Sequence, residues 1–127
     1  MELHNLYKES YVYEGDFTIE SGIEVTEKII KENPNIESIF YSNDMMAFGG
    51  IKVLLKNGYK IPKDIAIMGF DNINISKYIE PELTTIAQPI YSMGKEACKM
   101  LIAIINGDEK IKRQIFFDTE LIVRKTV

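Results

Sequence analysis

Residues 36–41 (IESIFY) and 65–69 (IAIMG) are short apolar runs without strict alternation, and residues 45–57 between them carry apolar side chains at helical spacing. A strand that does not alternate is covered on both faces. A strand–helix–strand order lays two such strands side by side in parallel, through a right-handed crossover. The pattern restricts the chain to the α/β class, a parallel sheet flanked by helices on both faces.

The same unit is expected once upstream. Residues 11–17 (YVYEGDF) are rich in β-formers and read as a strand running into an acidic loop, behind a frayed helical tail at 1–10. Ser21 and Glu24 have capping-box spacing, and Ile23, Thr26, Ile29 and Ile30 follow at helical intervals until Asn33-Pro34. In the next unit Ser42, Asn43 and Asp44 supply capping side chains, with Asp44 read most simply as the N-cap; Gly58 closes that helix and Pro62 breaks the chain.

Beyond residue 69 the rhythm changes. Residues 71–89 form a long connection broken by Pro81 and Pro89, in which only 83–87 looks extended. A long loop inside a compact domain usually carries function. A helix at 92–106 ends at Gly107, and a polar turn leads to two extended pieces, 114–117 and 121–124. This helix follows a crossover-like loop rather than a strand that has just joined the sheet, and a second lobe is one explanation.

The two later helices are unusually apolar. In 45–57, Met46, Gly50, Val53 and Leu54 form one face and Phe48, Ile51 and Leu55 a second, leaving Gly49, Lys52 and Lys56 as a polar strip. One side takes the sheet; the other needs a neighbouring helix or another subunit. In 92–106, Met93, Ala97, Met100, Leu101, Ile104 and Ile105 share a face opposite Lys95, Glu96 and Lys99, as in an ordinary amphipathic docking helix.

Composition narrows the function classes. With 127 residues, 46% hydrophobic and 27% charged, the chain can bury one ordinary core. A net charge of −4 argues against gripping a phosphate backbone. Cys98 is the only cysteine, and with His4 as the only histidine it provides neither a disulfide nor a zinc ligand set. No apolar run approaches membrane-spanning length and residues 1–10 are too polar for a signal peptide, so a cytoplasmic chain is expected, with no membrane contact.

In open parallel sheets ligands sit beyond the carboxyl ends of the strands, here EGDF (14–17), SND (42–44) and FDN (70–72). A sugar needs paired hydrogen bonds to vicinal hydroxyls and an aromatic face for its C–H groups. Phe17, Asn43 and Asp71 supply that set. The alternatives are an Asx-turn for Asp71 and a plain core position for Phe17. No G-x-G-x-x-G, P-loop, G-x-S-x-G or Cys/His pair occurs, so no catalytic residue, metal or cofactor is expected, and the chain reads as a binding module rather than an enzyme.

Four segments, SIFYSNDMMAFGGIKVLLKNGYKIPKDIAIMGFDN (38–72), YIEPELTTIAQP (78–89), the helix with Gly94, and LIVRKT (121–126), resemble the signature segments of LacI/GalR-type transcriptional repressors in family order. The resemblance implies a two-lobed, periplasmic-binding-protein type I-like sensor holding a sugar or related metabolite in its cleft. Residues of about 11–88 and 112–127 would belong to the C-terminal lobe, and about 89–111 would be a helix returning to the N-terminal lobe. It implies effector contacts by Phe17, Asn43, Asp71 and the crossover residue Gln88. It also implies a homodimer interface on Phe48, Ile51 and Leu55 with Tyr78 and Ile79.

Operator DNA would be reached only through a helix-turn-helix that this sequence lacks. Most of the N-terminal lobe is likewise unrepresented, and the family's cleft arginine has no counterpart before Tyr11, so a fragment is expected. Two alternatives stand beside this reading: a periplasmic-type sugar-binding protein of the same fold, and, more remotely, a phosphoacceptor receiver domain. The latter needs an acidic pair and a central Asp around Mg²⁺, an order that Asn43, Asp44 and Asp71 do not follow.

Overall fold

A computed structural model describes residues 8–108 and 112–127. Most of the expected 1–10 tail, His4 and part of the polar turn after Gly107 lie outside the described residues. Three α-helices, α1 (Ile19–Glu32), α2 (Asp44–Lys56) and α3 (Ile90–Ile105), accompany four strands, β1 (Ser38–Phe40), β2 (Ala66–Asp71), β3 (Thr84–Ala87) and β4 (Glu120–Ile122). The sheet order is β1-β2-β3-β4. The first two pairs are parallel, with Ile39 beside Ile67 and Gly69 beside Thr85, and β4 closes the sheet antiparallel through Thr85 and Ile122.

The expected first strand is absent. A 3-10 turn at Glu9–Tyr11 leads into an irregular segment. Its polar groups are taken locally: Asp16 Oδ1 accepts from the Thr18 N–H and hydroxyl at 3.1 and 2.6 Å, and the Asp16 N–H donates to Ser21 Oγ at 3.0 Å. Such side-chain bonds compete directly with a ladder. The cap of α1 also moves. Thr18 is the N-cap, accepting from the Ser21 N–H at 3.1 Å, so Ser21 lies inside the helix.

In α2 the N-cap is Asn43, whose Oδ1 accepts from the Met46 N–H at 2.9 Å, and not Asp44, which is the first helical residue and fully buried. Gly58, one past the C-cap Asn57, takes the left-handed turn at φ 83°. Gly49 does not belong to a polar strip. A Cβ there would collide with Ile19 O and Ile23 N, and one on Gly22 with the backbone of Met46. The two glycines let α1 and α2 touch backbone to backbone on the Gly49 side of α2. Ile51 is only 4% exposed, in the core with Leu54, Ile39, Ile67 and Leu83.

The two-sided strand burial expected from the sequence is not realised. β1 alternates exposed, buried, exposed, and β2 alternates half-buried with buried, so one sheet face meets the helices while Phe40 stays exposed on the other. β3 does join the sheet, so α3 follows a true strand. That strand is short and begins with two buried threonines. Thr84 takes part in two bonds to residues distant in sequence, its N–H donating to Thr126 Oγ1 and its Oγ1 accepting from the Arg124 N–H, both at 2.8 Å. Of the last extended pieces, 114–117 is irregular and only the second forms a strand, β4.

Helix α3 starts two residues earlier than its pattern suggests and carries no buried residue. Its apolar face has no docked partner among the described residues. Leu101 and Ile105 are 58% and 74% exposed.

Candidate functional site

All three non-glycine residues with positive φ among the described residues, Phe17 (67°), Asp71 (110°) and Asn72 (51°), lie in the loop before α1 or at the carboxyl end of β2. Backbone in this region is costly for a residue with a Cβ, and such strain tends to gather where a side chain must be aimed.

The first corner joins the loop before α1 to the loop after β1. The Asn43 side chain works in two directions: Nδ2 donates to Phe17 O at 2.9 Å while Oδ1 caps α2. The carbonyl of the left-handed residue is thereby fixed, and the Phe17 ring stands out at 62% exposure. It is no core residue. Beside it the Asp16 carboxyl, accepting from the Thr18 hydroxyl and N–H, is held below the usual carboxylate range.

The second corner is the end of β2. Asp71 pairs with Ala87 across the ladder, which sets Gln88 alongside, and Gln88 Nε2 donates to Asp71 Oδ1 at 2.7 Å. The Asx-turn is found at Asp16 rather than at Asp71, whose carboxylate accepts from the amide of Gln88. Phe17 is thus brought to Asn43, and Asp71 to Gln88, at neighbouring strand ends, with no hydrogen bond between the two pairs.

A buried layer underlies the second corner, and sequence reasoning missed it. Asp44 Oδ2 accepts from the Ile73 N–H at 2.9 Å and from the Ser76 hydroxyl at 2.6 Å, and Oδ1 accepts from the Thr85 hydroxyl at 2.5 Å. Thr85 Oγ1 in turn accepts from the Asn72 N–H at 3.2 Å. Arg124 closes the layer, donating to Asn72 Oδ1 at 2.7 Å and to Leu83 O at 2.6 Å. Partners 13 to 52 residues apart leave no local signal.

The residues assigned to a dimer face separate in the same way. Tyr78 is 71% and Leu55 45% exposed, Phe48 and Ile79 are half-buried, and Ile51 belongs to the core of this chain and presents little surface to a second subunit. A shallow depression lined by Glu27, Lys31, Lys56 and Tyr59 lies at the C-terminal ends of α1 and α2, away from the strained loops. Among the described residues no group of His, Cys, Asp or Glu could hold a metal ion, and no helix is long and apolar enough to cross a membrane.

The periplasmic binding protein-like domain family matches residues 1–127. The transcriptional repressor CytR of Escherichia coli K12 is 36% identical over 114 residues, 90% of this chain and 33% of its own length. A transcriptional regulator CelR–cellobiose complex superposes with a TM-score of 0.93 at 28% identity, over 99% of this chain and 38% of that one. A LacI family regulator from Enterococcus faecium with bound ribose gives a TM-score of 0.77 at 33% identity, over 88% and 41%. The chain spans about a third of the length of the curated regulators it matches. It belongs to the periplasmic binding protein-like domain family, in the form carried by LacI-type transcriptional regulators.

Proposed function

We propose that this chain is the effector-sensing and dimerisation part of a DNA-binding transcriptional regulator of the cytoplasm, with a sugar or related small metabolite as its effector. The observation that carries the proposal is the gathering of strained backbone and polar side chains at the strand ends. Phe17 offers an exposed ring to a sugar's C–H face, and Asn43, Asp71 and Gln88 offer amide and carboxylate groups to its hydroxyls. The relatives bound to cellobiose and ribose support the ligand class.

Residues of about 11–88 and 112–127 then form the C-terminal lobe, and about 89–111 the helix that returns to an N-terminal lobe, in keeping with the uncovered apolar face of α3. Phe48, Leu55, Tyr78 and Ile79 form the homodimer face, with Ile51 behind it. Operator DNA is contacted by a separate helix-turn-helix, since a chain of net charge −4 lacks the surplus of cations for that work. The effector acts by binding two lobe arrangements unequally, and so shifts operator affinity.

Calorimetry of the full-length regulator against a panel of mono- and disaccharides, paired with operator titrations, tests the proposal. Heat with one sugar class and a matching change in operator affinity are expected. No heat across the panel, with operator binding unmoved, would overturn it.

A further inference from the structure

We propose that Asp44 and Arg124 are the positioning residues of the effector site, holding the left-handed Asp71-Asn72 segment in the one conformation that aims the Asp71 carboxylate at Gln88. The inference rests on the site reading above. Its starting point is a buried carboxylate that nothing else explains. Asp44 has no exposed surface, and its three partners, the Ile73 N–H and the Ser76 and Thr85 hydroxyls, are all neutral. Burying a carboxylate without a cation is expensive, and the donors together with the N-terminal turn of α2 offset that cost only while all stay in place. Capping is no reason for it, because Asn43 already caps α2.

What the carboxylate holds is telling. Ile73 follows the strained pair directly, and Asn72 is reached through Thr85. Arg124 grips the same pair from the other side, one guanidinium nitrogen on Asn72 Oδ1 and another on Leu83 O. The φ values of 110° at Asp71 and 51° at Asn72 would relax toward the extended region if the segment were free, since such conformations persist only where the surroundings over-determine them. Relaxation would swing the Asp71 side chain away from Gln88. Gly69 fits the same scheme, because a Cβ there would collide with Asp44 Oδ1.

Two conservative variants separate positioning from bulk stability. Asp44→Asn keeps the shape but puts a donor in place of one acceptor and removes the charge, so either the Thr85 hydroxyl must turn from donor to acceptor or one of the three contacts is lost. Arg124→Lys keeps the charge but cannot span Asn72 Oδ1 and Leu83 O with one ammonium. For the sugar that binds the wild type, each is expected to raise Kd by about tenfold or more. In an Asp71→Ala background the same changes should move Kd by less than about twofold, because the group they aim is gone. Equal losses in both backgrounds would overturn the inference, as would wild-type affinity in the single variants.

Amide hydrogen exchange on the full chain supplies a readout free of ligand. The Asn72 and Ile73 amides are expected to exchange faster in both variants while those inside α1 do not. Unchanged protection at both amides overturns the positioning role. If no sugar binds the wild type, the site reading fails, and the exchange result still decides whether these residues hold the loop; Arg124→Lys carries the test if Asp44→Asn does not fold.

Discussion

The hydroxyls of Thr26 and Tyr41 meet at 2.7 Å between α1 and the end of β1. Thr26 gives its own hydrogen to Gly22 O at 2.6 Å, so the Tyr41 phenol is the donor. Burial pushes that phenol up to about 12 from 10.0. A raised folded-state pKa means that the stabilisation is fully present below the unfolded value and is lost as pH climbs from 10 toward 12. The loss amounts to roughly 2–3 kcal/mol. Tyr41→Phe should cost about 1 kcal/mol near neutral pH, where one hydrogen bond is removed, and should decline less steeply between pH 10 and 12. Urea unfolding of both proteins at pH 8 and about pH 11 checks this. Parallel pH dependences would rule out Tyr41 as the cause.

Two helical glycines should respond to alanine with opposite signs. At Gly49 the new methyl meets the backbone of α1, which cannot step aside, whereas at Gly94 in α3 nothing lies within 4 Å. Helix propensity favours alanine at both by about 1 kcal/mol. Gly94→Ala should therefore stabilise by up to that amount, while overpacking in Gly49→Ala reverses the sign and destabilises by about 1–3 kcal/mol. Chemical denaturation of the two variants decides; a Gly49→Ala protein as stable as the wild type would mean that α1 and α2 are not in backbone contact.

The strand–helix alternation of residues 36–69 and the candidates Asn43 and Asp71 were legible because each depends on local pattern: apolar runs, capping residues and the end of a strand; Phe17 was reached from a strand that does not form, and Gln88 only through the family resemblance. β3 was harder to read. A four-residue strand whose buried threonines are satisfied by Thr126 and Arg124 has neither length nor hydrophobicity to announce it. The exchange of roles between Asn43 and Asp44 was illegible for a related reason. Either side chain can cap a helix, and only the distant Ser76 and Thr85 make Asp44 the buried one. Residues 11–17 have strand composition, yet Asp16, Thr18 and Ser21 close the end of that segment locally.

Phe17 should trade stability against binding. Its ring is mostly exposed and its backbone is left-handed at φ 67°, so little is gained in folding from the side chain and the conformation is strained. Phe17→Gly is expected to leave stability unchanged or raise it by up to about 1 kcal/mol. If the ring stacks on a sugar, the same change should weaken effector binding by about tenfold or more. Phe17→Ala keeps the backbone strain and should lose affinity without the gain. Thermal melts with and without sugar separate the two effects, and undiminished affinity in both variants would remove Phe17 from the site.

The apolar face of α3 should govern how the chain behaves at high concentration. Leu101, Ile104 and Ile105 are 58%, 46% and 74% exposed, on a helix with no buried residue. Contiguous apolar surface of more than a few hundred Å² is seldom left in water by a soluble monomer. This 127-residue chain is therefore expected to associate with itself as concentration rises. Leu101→Glu with Ile105→Lys should suppress that association, and because both positions are exposed the fold should lose no more than about 0.5 kcal/mol. Light scattering across a concentration series, with circular dichroism as a control for folding, measures both. A wild-type chain that stays monomeric throughout would count against an association driven by this face.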